Sequence, residues 1–262
     1  MKFSLKNKIA FMLFTIMILI AIFAPFLSPY NPWYMDIPFL APCSSHILGT
    51  NDLGQDIFSE LIYGFRISMF IGIFSSIIVT FIGSTLGILS AYYGGIIDAL
   101  ISGLINIGMT IPTLPLTIVL VAFLKPGMIN IVIAICITGW TSTARIIRSK
   151  TLQIKEMSYI KNAKTLSASN SYVMFHHILP NVGNLVFIKG SLSIASAMLT
   201  EASLSYLGLG STLYKSWGII LRDSFNAGGM LNGYWWWYIP PILCICISIL
   251  TVSSLSKNIN YN

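Results

Sequence analysis

Charged residues are scarce in this chain. Only 9% of its 262 residues are Asp, Glu, Lys or Arg, whereas a soluble globular protein typically carries about 25%. Hydrophobic residues make up 55% of the sequence, and the mean hydropathy is +0.80. A core of this size cannot bury so much apolar surface, so most of that surface must face lipid. The composition therefore predicts an all-α integral membrane protein.

The sequence also lacks the motifs of catalysis and of nucleotide or metal binding. The phosphate-cradling loop ends in Gly-Lys followed by Ser or Thr, and the dipeptide Gly-Lys occurs nowhere in this chain. Gly-x-Ser-x-Gly and His-Glu-x-x-His are absent too, and the four cysteines have no ligand or disulfide spacing. We therefore expect no enzyme activity, cofactor or metal site here. ATP, if it drives this protein, must bind another subunit.

Long apolar runs predict six membrane-spanning helices, since a span needs roughly 20 apolar residues. Their approximate ranges are 9–27, 67–93, 97–124, 128–147, 182–207 and 239–255. The third should be kinked by Pro112 and Pro115, and Pro240 and Pro241 should lie in the first turn of the sixth. The sequence thus divides into residues 1–66 (a first helix and an extracytoplasmic segment), a transmembrane domain over 67–256, and a tail over 257–262.

Basic residues lie mostly on one side of these predicted spans. With the N-terminus inside, the inner segments hold ten Lys and Arg residues and the outer segments hold four. This asymmetry follows the positive-inside rule and predicts cytoplasmic N- and C-termini; the resemblance described below implies that the membrane is the bacterial inner membrane. The net charge of +7 therefore reflects membrane topology and does not indicate a nucleic-acid partner.

Residues 145–181 form the one long polar stretch, which the topology places in the cytoplasm. Apolar residues recur there at helical spacing, with Tyr159, Ala163 and Leu166 on one face. Ser169 to Ser171 interrupt the pattern, and Pro180 should end a second helix. We predict two short amphipathic helices that lie against another protein. The alternative is a basic loop on anionic lipid headgroups.

The fifth predicted span contains an acidic residue, Glu201, and a carboxylate at such a position marks a functional site by default. Ser193, Ala197, Glu201 and Ser205 repeat every four residues and form a small, polar stripe. This stripe could line a water-filled translocation pathway. Alternatively, Glu201 is hydrated near the outer interface or pairs with a neighbouring helix. Lys189, in the same span, is expected to reach the inner interface.

Three segments resemble the second permease subunit of dipeptide, oligopeptide and nickel ABC importers. They are His46–Met69, Glu201–Gly210 and Ser216–Leu221. The resemblance implies the type I ABC importer permease fold and a second, homologous permease subunit. It also implies two cytoplasmic ATPase subunits that hold ATP and Mg²⁺, and an extracytoplasmic solute-binding protein. The solute would be a short peptide, nickel or a metal chelate.

The family's cytoplasmic loop carries a Glu-Ala-Ala motif, with a glycine four residues on, and forms the coupling helix that docks on the ATPase. The matching positions here are Tyr159, Lys161, Asn162, Ala163, Lys164, Leu166, Ser167 and Ala168. Lys161 replaces the Glu, Asn162 the first Ala and Ser167 the Gly. These departures imply a compensating acid on the ATPase or a coupling dominated by the partner permease.

Two other functions remain open from the residues alone. An ion-coupled secondary transporter could use Glu201 as its proton carrier, and its transport would collapse with uncouplers while ATP stays high. A membrane scaffold could use the basic loop to recruit a soluble enzyme, and it would show no uptake in vesicles.

Overall fold

The structure, a computed structural model, describes residues 5–211 and 213–257, and within this part of the chain the regular structure is helical. The helices are α1 (Leu5–Leu27), α2 (Ile57–Tyr93), α3 (Gly95–Thr110), α4 (Thr113–Leu124), α5 (Met128–Lys155), α6 (Ser158–Thr165), α7 (Asn170–Tyr172), α8 (Leu179–Tyr206), α9 (Trp217–Asn226) and α10 (Trp235–Lys257). A π-helical segment, Val173–Ile178, joins α7 to α8. Lys2 and residues 258–262 of the predicted tail lie outside the described residues.

Among the described residues, five helices are long and apolar enough to cross a membrane. The bent pair α3 and α4 makes a sixth span if it is counted as one. The predicted interruption of the third span, 97–124, lies at Pro112 as expected, but it is a break of 91° between α3 and α4 rather than a kink within one helix. Ile111 adopts an extended backbone before Pro112, since a proline disfavours the helical conformation of the residue before it.

Helix α2 begins ten residues earlier than predicted, so a boundary at residue 66 falls inside a helix. Asp56 is its N-cap, and the Asp56 carboxylate accepts a hydrogen bond from the Ser59 backbone N–H at 2.8 Å. Such a cap satisfies one of the orphan donors of the first turn. The 37-residue helix is the centre of the fold and packs against α1, α5 and α8.

Glycines set the close approach of α2 to α5. A Cβ at Gly83 would lie 2.8 Å from the Trp140 carbonyl oxygen, and one at Gly87 would lie 2.7 Å from the Ala144 carbonyl oxygen. Small residues allow two membrane helices to approach with their backbones nearly in contact. Arg148 of α5 adds a bidentate ion pair to Asp98 of α3, with both N–O distances at 2.7 Å.

Pro180 does not end a helix, because α7, the π-helical segment and α8 form one continuous helix over Asn170–Tyr206. The second amphipathic helix predicted in the loop is thus the first part of the fifth span. A proline lacks the N–H that the ladder needs, but Pro180 directly follows wider π-helical turns. The Asn181 side chain also donates to the His177 carbonyl at 2.6 Å.

The segment between α1 and α2, residues 28–56, folds over the start of α2, and we call it the cap. His46 Nδ1 lies 2.9 Å from the Asp56 carboxylate, and both side chains are buried. Trp237 is buried in the same core cluster as Trp217 and Ile57. Because α10 begins at Trp235, Pro240 and Pro241 lie beyond its first turn, contrary to the prediction.

Candidate functional site

A cavity of about 360 Å³ lies among the membrane-spanning helices. Hydroxyl groups from several helices reach it, and Ser193 and Ala197 of the predicted stripe are in its wall. Its hydroxyl-bearing residues are Thr113, Thr138, Thr141, Ser142, Ser193, Ser196 and Thr200. The break before α4 places Thr113 in this wall. A membrane protein can hold such polar groups where they line a water-filled cavity.

Lys189 of α8 is the basic residue in the wall of this cavity. Its side chain is half-buried, and it forms no ion pair within residues 5–211 and 213–257. The Gly190 carbonyl next to it accepts a hydrogen bond from Ser76 Oγ at 2.7 Å. Lys189 therefore lies opposite the middle of α2, and not two turns from a helix end as the predicted fifth span places it.

Glu201 and Ser205, the other two stripe residues, lie outside this cavity wall. Glu201 is only 1% exposed. Its carboxylate accepts hydrogen bonds from Ser68 Oγ of α2 at 3.0 Å and from Ser205 Oγ at 2.8 Å. The structure thus divides the stripe: Ser193 and Ala197 line the cavity, while Glu201 joins α8 to α2 and Ser205 supports Glu201 from within α8. Of the alternatives for Glu201, pairing with a neighbouring helix fits this geometry.

Helix α6 is held to the rest of the protein by Ile160, which sequence analysis missed. Ile160 is fully buried and packs in a cluster with Ile88, Tyr92, Ile147, Ile154, Val173, Ile178 and Val182. Its neighbours Tyr159 and Leu166 remain 41% and 83% exposed. We call the exposed residues Tyr159, Asn162 and Leu166 the α6 surface. The predicted face of Tyr159, Ala163 and Leu166 is thus turned away from the core, with Ala163 partly buried.

The basic residues of α6 have partners within the chain. Lys161 pairs with Glu156 at 2.8 Å, with both side chains more than half exposed. The hydrogen bond from Lys161 lowers the pKa of the Glu156 carboxyl below its usual range. Lys164 Nζ lies 4.7 Å from the ring centroid of Tyr92, which is within cation–π range. Glu156 of this chain therefore already provides the acidic partner of Lys161.

Ser167 follows the end of α6 in the left-handed backbone region, with φ at 60°. The Ser167 N–H donates to the Lys164 carbonyl and the Ala168 N–H to the Ala163 carbonyl, both at 3.0 Å. This is the helix-ending arrangement that usually carries a glycine. Ser167 thus occupies the position that glycine usually takes in this turn. Ala168, the last of the predicted loop residues, is partly buried beside the Ile160 cluster.

A buried polar network, also missed by sequence analysis, joins the cap to the segment before α9. Lys215 Nζ contacts the Glu60 carboxylate at 2.5 Å and the Gln55 side-chain oxygen at 2.6 Å. Asn51 donates to both Glu60 and Gln55 at 3.0 Å. Three of these four residues lie in the segment His46–Met69. The amide and acidic side chains of that segment therefore have partners inside the folded chain.

Comparison with known proteins places the chain in a family. Residues 83–260, more than half of the chain, match the family "Binding-protein-dependent transport system inner membrane component". This chain belongs to that family. Residues 6–42 of the permease also match "N-terminal TM domain of oligopeptide transport permease C", which covers α1 and the start of the cap.

Several curated relatives resemble the permease over nearly its whole length. It is 33% identical to the dipeptide transport system permease protein DppC of Bacillus subtilis, over 97% of this chain and 81% of that relative. It is 37% identical to the oligopeptide transport system permease protein OppC of the same organism, over 93% of this chain and 81% of that relative. The glutathione transport system permease protein GsiD of Pectobacterium atrosepticum is 38% identical over 80% of this chain and 71% of its own length.

Solved structures support the fold. A chain from an inward-facing structure of the MetNI methionine ABC transporter matches the permease with a TM-score of 0.60 and 14% identity. The match covers 77% of this chain and 96% of that one. The predicted family, the type I ABC permease fold and a multi-pass location in the bacterial inner membrane are therefore confirmed.

Proposed function

We propose that this permease is one half of an ATP-driven importer of short peptides. A second, homologous permease would complete the pathway, and two cytoplasmic ATPase subunits would hold ATP and Mg²⁺. A solute-binding protein would deliver the peptide to the cap side. The names of the relatives support peptides as the solute class, and the hydroxyl-lined cavity offers groups that could bind amides during passage.

The α6 surface carries this proposal. Ile160 fixes α6 to the bundle, while Tyr159 and Leu166 on the same short helix stay exposed. An exposed aromatic and a leucine beside a firmly anchored residue are typical of a helix that packs into a groove of another protein. Because α6 is anchored to α2, α5 and α8 through one cluster, an ATPase that moves α6 would move these helices with it.

The distribution of basic residues supports a cytoplasmic location for α6. Six basic residues lie on α5 and α6 at the α6 end of the bundle: Arg145, Arg148, Lys150, Lys155, Lys161 and Lys164. The positive-inside rule places such a cluster in the cytoplasm. With α6 in the cytoplasm, the cap would face the solute-binding protein.

Truncation of the α6 surface tests the proposal. In the complete importer, Tyr159→Ala/Leu166→Ala should lower ATP-driven peptide uptake by at least about tenfold, since docking anchors often contribute 1 kcal/mol or more each. ATP hydrolysis should persist without uptake, or the ATPase should dissociate. The matched control is Phe11→Ala/Leu250→Ala, which removes exposed apolar side chains from α1 and α10 and should leave uptake intact.

Unchanged uptake in the α6 double variant would contradict the coupling role. Uptake that collapses with an uncoupler while ATP stays high would favour the ion-coupled alternative. ATP-driven accumulation of nickel or a metal chelate, with no peptide uptake, would keep the coupling role and replace the solute.

A further inference from the structure

We propose that Lys189 binds the carboxylate of the transported solute, which for a peptide is its C-terminal carboxylate. This inference rests on the proposed function, because it specifies which part of a peptide the transmembrane cavity recognises. Its evidence is the position of one basic side chain in a cavity whose other polar groups are mostly hydroxyls.

The depth of Lys189 excludes a simple role at the membrane surface. Its neighbour Gly190 contacts Ser76 of α2, and Ser90 further along α2 contacts the Arg148–Asp98 ion pair. Ser76 and Ser90 are 14 positions apart, which corresponds to roughly 21 Å along a helix. A separation of that size is more than half of the roughly 30 Å thickness of the hydrocarbon core, so Lys189 and the Arg148–Asp98 ion pair do not lie at the same membrane surface.

In the part of the chain that the structure describes, no acidic side chain pairs with Lys189. Glu201, the acid on the same helix, is turned toward Ser68 and Ser205. Asp98 is engaged by Arg148 at the far end of α3. An ionised amine inside a membrane protein needs a partner or water, and a cavity gives it access to both.

The lining of the cavity suits a small peptide acid. Ser193, Ser196 and Thr200 follow Lys189 along α8, and Thr141 and Ser142 of α5 also line the cavity. Hydroxyls can donate to or accept from the backbone amides of any peptide. An ammonium group adds a charge-assisted hydrogen bond to a carboxylate. This combination favours a free carboxylate and is indifferent to the peptide's side chains.

A labelling experiment tests this directly in the complete importer, with tri-alanine and tri-alanine amide as probes. A Ser196→Cys reporter is placed in the cavity, in a background whose four native cysteines are replaced by serine. Tri-alanine should slow maleimide labelling of the reporter, and its amide should do so about tenfold less well, as expected for a hydrogen bond to a charged group. Lys189→Gln should abolish this difference and Lys189→Arg should keep it.

The matched control is Lys150→Gln, which removes the same charge from α5 outside the cavity wall and should leave the preference unchanged. Equal protection by both probes with Lys189 intact would overturn the inference, as would a preference that survives Lys189→Gln. An equal loss of protection by both probes in Lys189→Gln would also overturn it, and would assign Lys189 to a contact with the second permease.

ATP-driven uptake of tri-alanine, measured in parallel, separates the two proposals. If the unmodified importer takes up no peptide with ATP, the proposed function fails. If uptake is present but the labelling preference does not depend on Lys189, only this inference fails.

Discussion

The two ends of α2 differ in how deeply the charged groups beside them are buried. At the cap end, Glu60 and Asp56 are buried, and each has charged or amide partners within the chain. At the α6 end, the ion pair of Lys161 and Glu156 is exposed, and large apolar side chains next to it are exposed as well. A buried charge requires partners, whereas an exposed Tyr or Leu on a short helix does not.

This difference indicates that a buried polar network of the chain's own holds the cap end, whereas the charges of the α6 end are left to solvent. The cap's polar groups are held by residues distant in sequence, with Lys215 and Gln55 separated by 160 positions. By contrast, α6 contributes one fully buried apolar side chain, Ile160, to the core. We therefore expect substitutions at the cap end to act on the permease's own stability, and substitutions at the α6 surface to act on assembly and coupling.

The largest expected effect is at the cap. Lys215→Met should destabilise the purified permease by about 3–5 kcal/mol, because it leaves Glu60 buried without its cationic partner. Thermal unfolding in detergent measures this effect. Lys125→Met, an equal charge change at an exposed residue, is the control and should have little effect. A loss of less than about 1 kcal/mol, the range of surface ion pairs, would contradict a stabilising role for the buried network.

A smaller effect is expected at the anchor of α6. Ile160→Ala should cost about 2–3 kcal/mol, at the lower end for a buried isoleucine, because a short connection can partly collapse into the space. Hydrogen exchange of the amides in residues 158–168 should become much faster, while exchange in the cap should not change. Tyr159→Ala, next to it but exposed, should leave exchange in both regions unchanged. Slow exchange in Ile160→Ala would show that other contacts hold α6.

The smallest expected effect on stability is at the turn after α6. There the substitution should stabilise the protein rather than destabilise it. Ser167→Gly should stabilise α6 by about 0.5–1 kcal/mol, because a left-handed residue with a Cβ is strained and glycine is not. Hydrogen exchange in residues 158–168 should slow. Asn162→Gly, at an exposed position in the interior of α6, is the control and should have the opposite effect, since glycine is a poor helix former. Faster exchange in Ser167→Gly would contradict the strained turn.

Much of this fold can be predicted from sequence, because lipid imposes strong local rules. Apolar length gave the spanning segments in α1, α2, α5, α8 and α10, although their helices extend past the apolar runs. The prolines located the interruption of the third span, but not its 91° angle, because that angle depends on how α3 and α4 pack. The Pro180 prediction failed for a related reason: π-helical turns before a proline have no clear sequence signal.

The candidate site was predictable in its location and less so in its contacts. The loop residues and the Glu201 stripe are visible from polarity and four-residue spacing. Which of them face outward depends on tertiary packing, which buries Ile160 and turns Glu201 toward Ser68. Similarly, nothing local predicts that Lys215 will meet Glu60, or that Ser167 will adopt a left-handed backbone. The position of Lys189 within a span is visible in the sequence, but its place in the cavity wall depends on how α8 packs against its neighbours.

The central claim is that the α6 surface is where an ATPase docks, and site-specific photocrosslinking in sealed cells tests it most directly. A photoreactive amino acid at Leu166 should crosslink to an ATPase subunit, and the same probe at Leu231, exposed in the segment between α9 and α10, should not. Crosslinking of the Leu166 probe to lipid alone, or to the solute-binding protein outside the cell, would contradict the claim.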